Sequence, residues 1–212
     1  MPTLLHIDSS PHGEAPLSRR LTHEFVVRWQ SAYPEGTVIE RDLAATPIPV
    51  IDAAWITANL TPPEARTPQQ NERLAISTEF ARELLAAGEY ILGTPMHNWG
   101  PSASLKLWID QIVRFGETLT VTPAGPRGNL VGTRATFVIA AGQDYRPGSA
   151  SHSRNYLEPW LRTFFGYLGV ADIRFIFADR ARAVRYGQLD PEAFLEPHIE
   201  EIETLFEQKA PA

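Results

Sequence analysis

Short runs rich in β-branched and aliphatic residues alternate with longer runs whose apolar residues recur every three or four positions, and this constrains the fold most. Leu4-Leu5-His6-Ile7 reads as a first buried strand. Ser18 to Tyr33 reads as a helix, because Leu21, Phe25, Trp29 and Tyr33 fall on one stripe. Val38 to Leu43 is a second strand, and a proline-rich excursion from Ala44 to Arg66 carries one short helix near Ala53–Leu60. Thr67-Pro68-Gln69-Gln70 opens a helix with a capping box and a proline at its first position. That helix is predicted to run to about Ala87, with Gly88 at its end. Tyr90 to Thr94, Thr136 to Ala141 and Ile173 to Ala178 are three further strands. Between and after them come helices over Pro101–Phe115, Ser153–Leu168 and Pro191–Gln208, with an irregular hairpin over Thr118–Leu130.

Strand–helix alternation of this kind predicts an α/β fold, a doubly wound five-stranded parallel sheet with helices on both faces. Five strands are too few for the six-stranded dinucleotide fold, and no G-x-G-x-x-G follows the first strand. The expected strand order is the flavodoxin-like 2-1-3-4-5. With 212 residues and no linker-like stretch, residues 1–212 are expected to form one domain.

Composition narrows the function. Cysteine is absent, which excludes disulfides, thiolate metal sites and a cysteine nucleophile. Histidines are scattered without metal-ligand spacing, so no metal is expected. A net charge of −6 lacks the basic excess of a general nucleic-acid binder. No apolar run reaches the roughly 20 residues of a membrane helix, and the N-terminus has no secretory pattern. A cytoplasmic location is the expectation.

In doubly wound sheets ligands bind outside the carboxyl ends of the strands, where the winding reverses. Three loops fall there. The first, Asp8 to Leu17, is rich in hydroxyls and leads into a helix N-terminus, which suits a phosphate monoester. Ser10 and Ser18 are candidate hydroxyl donors, Ser18 is also read as a helix cap, and Arg19 and Arg20 read as a solvated first turn; turn chemistry alone is the competing reading. The second, Thr94 to Pro101, offers amides at Asn98, slimness at Gly100 and apolar surface at Met96 and Trp99, which together suit a flat cofactor; simple packing of Trp99 on the next helix is the alternative. The third runs from Gly142 to His152.

Several stretches, in order along the chain, resemble one family. They are Ser9-Ser10 with Ser18, Arg41 to Val50, Pro95-Met96-His97-Asn98-Trp99, Leu105 to Asp110, Gly125-Pro126-x-Gly128, and Phe164 to Gly169. Together they are similar to the FMN-dependent NADH:quinone oxidoreductases that also reduce azo dyes, the bacterial azoreductases. The resemblance implies a flavodoxin-like homodimer with one FMN per subunit near the dimer interface. It implies FMN phosphate at Ser10 and Pro16-Leu17-Ser18, and ring contacts from Met96, His97, Asn98 and Trp99. It further implies a flavin loop at Ala140-Ala141-Gly142-Gln143, where the family usually reads Ser-Arg-Gly-Gly; His97 likewise stands where a Tyr is usual. By the same resemblance, NADH or NADPH reduces the flavin, which passes two electrons to a quinone or azo acceptor in a ping-pong cycle. Amides around Met96–Trp99 and Gly142–Gln143 are then expected to balance the negative charge of the reduced ring. No side chain is named as catalytic, because the cofactor carries the chemistry.

Two other classes stay open at this stage. Ile7-Asp8-Ser9-Ser10 also suits the nucleophile turn of a serine esterase, with His198 as the late histidine. A noncatalytic FMN electron carrier is the third.

Overall fold

The computed structural model describes residues 1–11 and 16–207. Residues 12–15 of the first loop and Gln208, the last residue of the predicted closing helix, lie outside them. Strands β1 (Thr3–Asp8), β2 (Thr37–Asp42), β3 (Glu89–Pro95), β6 (Arg134–Ala140) and β7 (Asp172–Ala178) form a parallel sheet in the order β2-β1-β3-β6-β7. This is the expected 2-1-3-4-5 winding. The predicted hairpin is also present, as antiparallel β4 (Leu119–Thr122) and β5 (Gly125–Gly128).

Successive residues of a strand face opposite sides, so one strand feeds two cores. Leu4, Ile91, Val138 and Ile176 face α1 (Leu17–Ala32) and α8 (Pro191–Glu207), meeting Leu21, Phe25, Trp29, Phe194 and Ile202. Their neighbours Leu5, Tyr90, Leu92, Phe137 and Ile139 face the other way. There they meet Phe80 and Leu84 of α4 (Ala75–Ala86), Trp108 and Ile109 of α5 (Ala103–Gln111), and Leu161 and Phe165 of α6 (Leu157–Tyr167).

Several predicted helices change their bounds for visible reasons. The helix expected from Thr67 to Ala87 divides at Leu74 into α3 (Pro68–Arg73) and α4. The capping box of Thr67 and Gln70 forms as expected. Leu74 leaves regular helix geometry (φ −92°, ψ 0°) as its side chain enters a small cluster with Trp55 and Ala58 of α2 (Ala53–Leu60). The Pro101–Phe115 helix is only Ala103–Gln111. Ser102 caps its start by accepting from the Leu105 N–H, and beyond its end the Thr118 hydroxyl accepts from the Arg114 N–H at 3.0 Å, where the chain turns away. α6 begins four residues later than predicted, after a 3₁₀ turn at His152–Arg154. Gly169 ends it with φ +105°, a conformation that favours glycine. A short helix, α7 (Ala181–Arg185), was not foreseen.

Arg19 corrects another expectation. It is not a solvated first-turn residue. Its guanidinium donates to Asp42 Oδ1 at 2.7 Å and to the Ser10 carbonyl at 2.8 Å, and it lies 3.6 Å from Asp8 Oδ2. It ties the carboxyl ends of β1 and β2 to the helix that follows. Arg20 pairs with Glu192 of α8 and thereby joins α1 to α8 at their surface.

Candidate functional site

Four segments meet above the carboxyl end of the sheet. The first turn of α1 contributes Pro16, Leu17 and Ser18. Pro16 occupies the cap position, and among the described residues no side chain caps this helix. Ser18 stands one residue inside the helix and is not its cap, which corrects the sequence expectation. Its hydroxyl is buried, 1% exposed, and has no hydrogen-bond partner among the described residues. A buried hydroxyl left unpaired costs about 1–3 kcal/mol, so its placement asks for a ligand acceptor. The first N–H groups of a helix have no partner within it, and they carry its partial positive charge.

The second segment follows β3. Met96 donates its N–H to the Ala140 carbonyl at 2.8 Å, which joins the ends of β3 and β6. His97 and Gly100 then exchange two backbone hydrogen bonds of 3.0 and 2.9 Å. Between them Asn98 (φ 47°) and Trp99 (φ 67°) both sit in the left-handed region. That is the geometry of a type I′ turn, and it costs a side-chain-bearing residue on the order of 1 kcal/mol. A tryptophan held there, 46% exposed, is a strained residue kept for its surface. Trp99→Gly is expected to stabilise the ligand-free protein by about 1 kcal/mol, which raises the melting temperature of a chain this size by roughly 2–4 °C. A lower melting temperature would mean that Trp99 contacts outweigh the strain.

The third segment is Ala140 to Gln143. Ala141 is 1% exposed; its N–H donates to the Ala178 carbonyl at 3.1 Å and its carbonyl accepts from the Ala181 N–H at 2.9 Å. Gly142 and Gln143 are exposed beyond it. The fourth segment is α7, which these bonds hold against the third.

Ser10, Pro16, Leu17, Ser18, Met96, His97, Ala140, Ala141 and Gly142 line one cleft of about 360 Å³. Asn98, Trp99 and Gln143, with Met96 and Gly142 again, line an adjoining cleft of about 290 Å³. The candidate residues chosen from sequence are thus brought together around two neighbouring spaces. Arg182, Arg185 and Tyr186 also line the first, and Tyr145, Arg154 and Arg182 the second; sequence reasoning singled out none of these, although Tyr145 lies in the third predicted loop. A signal existed: the arginine-rich run Arg180 to Arg185 follows directly on the carboxyl end of the last strand, where ligands are expected.

The loop after Gln143 is clamped to the same run. Asp144 accepts from Arg146 at 2.7 Å and from Arg180 at 2.9 Å, and these guanidiniums, Arg146 foremost, hold its carboxyl well below the usual carboxylate range. Tyr145 donates its N–H to Asp179 Oδ2 at 2.8 Å, while burial raises the Asp179 carboxyl. A larger, more open space of about 830 Å³ lies over this loop; of the sequence candidates it touches only Gln143.

A serine-hydrolase arrangement is not formed among the described residues. The Ser9 hydroxyl donates to the Gly93 carbonyl at 3.1 Å, and His198 packs its ring against Phe194, 5.4 Å between centroids, on α8.

Comparison with known proteins agrees with this architecture. Residues 2–205 match the family described as having a flavodoxin-like fold. The FMN-dependent NADH:quinone oxidoreductase 3 of Burkholderia lata is 59% identical over 203 residues, covering 96% of this chain and 98% of the relative. The FMN-dependent NADH:quinone oxidoreductase of Acidobacterium capsulatum is 47% identical over 95% of this chain and 98% of its own. Among solved structures, the FMN-dependent NADH-azoreductase of Bacillus anthracis in complex with FMN superposes with a TM-score of 0.84 at 22% identity, over 100% of both chains. The chain belongs to the flavodoxin-like family of the FMN-dependent NADH:quinone oxidoreductases.

Proposed function

We propose that this chain is an FMN-dependent oxidoreductase that uses NADH or NADPH to reduce quinones and azo compounds. One observation carries the reading: the Ser18 hydroxyl, at a helix N-terminus, has no partner and no side-chain cap beside it among the described residues, and lines the same cleft as Met96, His97 and Gly142. A phosphate and a flat ring are both provided for along that cleft, and the names of the relatives point to the same cofactor.

Bound FMN supplies two-electron chemistry between the nicotinamide and the acceptor. Ser18 and Ser10 donate hydroxyls to its phosphate, and the first-turn N–H groups of α1 add their partial charge. Backbone amides at the Asn98–Trp99 turn and at Gly142–Gln143 balance negative charge on the ring. Met96 and Trp99 form its apolar wall and limit the entry of water. Residues 1–212 act as one unit in the cytoplasm, without nucleic acid or membrane. The active form is a homodimer joined near the flavin. Tyr156, just before α6, and Tyr167, at its end, are exposed, and Trp160 and Phe164 on it are only half-buried, an aromatic surface suited to a partner.

The test is reconstitution. Addition of FMN is expected to give a yellow protein that oxidises NADH in the presence of a quinone, and light scattering should report a dimer. Retention of FAD instead, or a protein that ignores FMN, would overturn the reading. Ser18→Ala is expected to weaken FMN binding by about 1–3 kcal/mol. Because Ser18 caps nothing, the melting temperature of the apoprotein should hold steady or rise slightly. A lowered apoprotein melting temperature with unchanged FMN affinity would assign Ser18 to structure alone.

A further inference from the structure

The 290 Å³ cleft beside the proposed ring site carries two cations with no carboxylate partner among the described residues. Arg182 comes from the start of α7 and lines both clefts, so FMN affinity of its variant is measured beside the titrations below. Arg154 ends the 3₁₀ turn before α6, and among the described residues its guanidinium donates only to the Ser151 hydroxyl, at 3.5 Å. Nearby arginines behave differently: Arg146 and Arg180 both close on Asp144. The exposed face of Trp99 lines the same space. The chain as a whole carries −6, yet these two guanidiniums, with Arg185 of the adjoining cleft, gather positive charge at the mouth of the site. Guanidinium forks match carboxylate, sulfonate and phosphate oxygens in pairs.

We infer that Arg154 and Arg182 form an anion subsite that selects, among molecules stacking against Trp99, those carrying an acidic group. This rests on the proposed flavin site lying in the adjoining cleft. The acidic group is either a carboxylate or sulfonate on an aromatic acceptor, or a phosphate of the nicotinamide dinucleotide. Neither arginine is buried, so substitution leaves the cores intact.

Calorimetric titration of the FMN-reconstituted protein separates these sources without turnover. The ligands are a naphthoquinone sulfonate, its uncharged parent, and NAD⁺. For an acceptor subsite, the sulfonate should bind at least tenfold tighter than the parent at low salt. Arg154→Gln and Arg182→Gln should each lower sulfonate affinity about three- to tenfold, and the double variant should abolish the preference. Parent affinity should stay within twofold throughout. If NAD⁺ affinity falls by these factors and sulfonate affinity does not, the subsite serves the dinucleotide phosphates. A double variant that binds both anions as the unsubstituted protein does would overturn the inference. A protein that takes up no FMN would overturn the functional reading instead, and the same titrations on the apoprotein would still decide whether the two arginines bind anions.

Discussion

Replacing Gly128 with Ala is expected to destabilise the protein by at least about 3 kcal/mol, or to prevent its folding. Gly128 ends β5 in a buried position. A Cβ built there overlaps the carbonyl carbon and oxygen of Leu168 and comes within 2.5 Å of its Cα. These are backbone atoms at the end of α6, locked in turn by the bond from the Leu130 N–H to the Leu168 carbonyl at 2.9 Å. A flexible side chain yields to an added methyl group, whereas a helix terminus does not, so the cost lies at the upper end of overpacking penalties. Gly169 faces the same crossing, and its own added Cβ would sit 3.2 Å from the Gly128 carbonyl oxygen. Two of the sequence motifs that marked the family, Gly125-Pro126-x-Gly128 and Phe164 to Gly169, therefore meet here backbone to backbone. Denaturant unfolding measures the effect. A loss below about 1 kcal/mol would show that the hairpin lifts away freely.

Arg114→Ala is expected to cost about 3–5 kcal/mol, the range for breaking a buried charged network by removing one partner. The side chain is 0% exposed. Its guanidinium donates to Glu117 at 2.7 Å, to Thr78 Oγ1 at 3.0 Å, to Asn59 Oδ1 at 3.2 Å and to the Leu74 carbonyl at 3.4 Å. Burial lowers its pKa while Glu117 opposes that shift. These bonds anchor α2, α3 and the start of α4 to the end of α5. Arg114→Met keeps much of the volume and should lose less. Unfolding free energies of both variants, with limited proteolysis across residues 49–74, would check this. An alanine variant as stable and as protease-resistant as the parent would refute the anchoring role.

The sheet was legible because each strand carries its own evidence. Leu4 and Leu5, or Tyr90, Ile91 and Leu92, are apolar on both faces, as a covered parallel strand requires. The three ligand loops were legible because the winding alone places them. What the sequence hid depends on partners far along the chain. Nothing beside Arg19 announces Asp42, and nothing beside Leu74 announces Trp55. Ser18 reads locally as a cap, yet the helix starts earlier, at Leu17, and the hydroxyl is left for something else. α7 has too few residues to show a period, and what holds it is backbone bonding to Ala141.

That bonding has a consequence for how the protein is made. The cleft draws walls from Ser10, from the end of β3, from the end of β6 and from α7, so its parts leave the ribosome far apart in time. At synthesis rates of roughly 5–20 residues per second, on the order of ten to thirty seconds separate Ser18 from Tyr186. During that interval the segment that opens the cleft has no opposite wall. α1 packs on β1, β3, β6 and α8, and α8 arrives last. On the proposed site cofactor capture is therefore a late event, completed only when the final strand and helix have docked, and a chain truncated before α7 is expected to lose FMN binding.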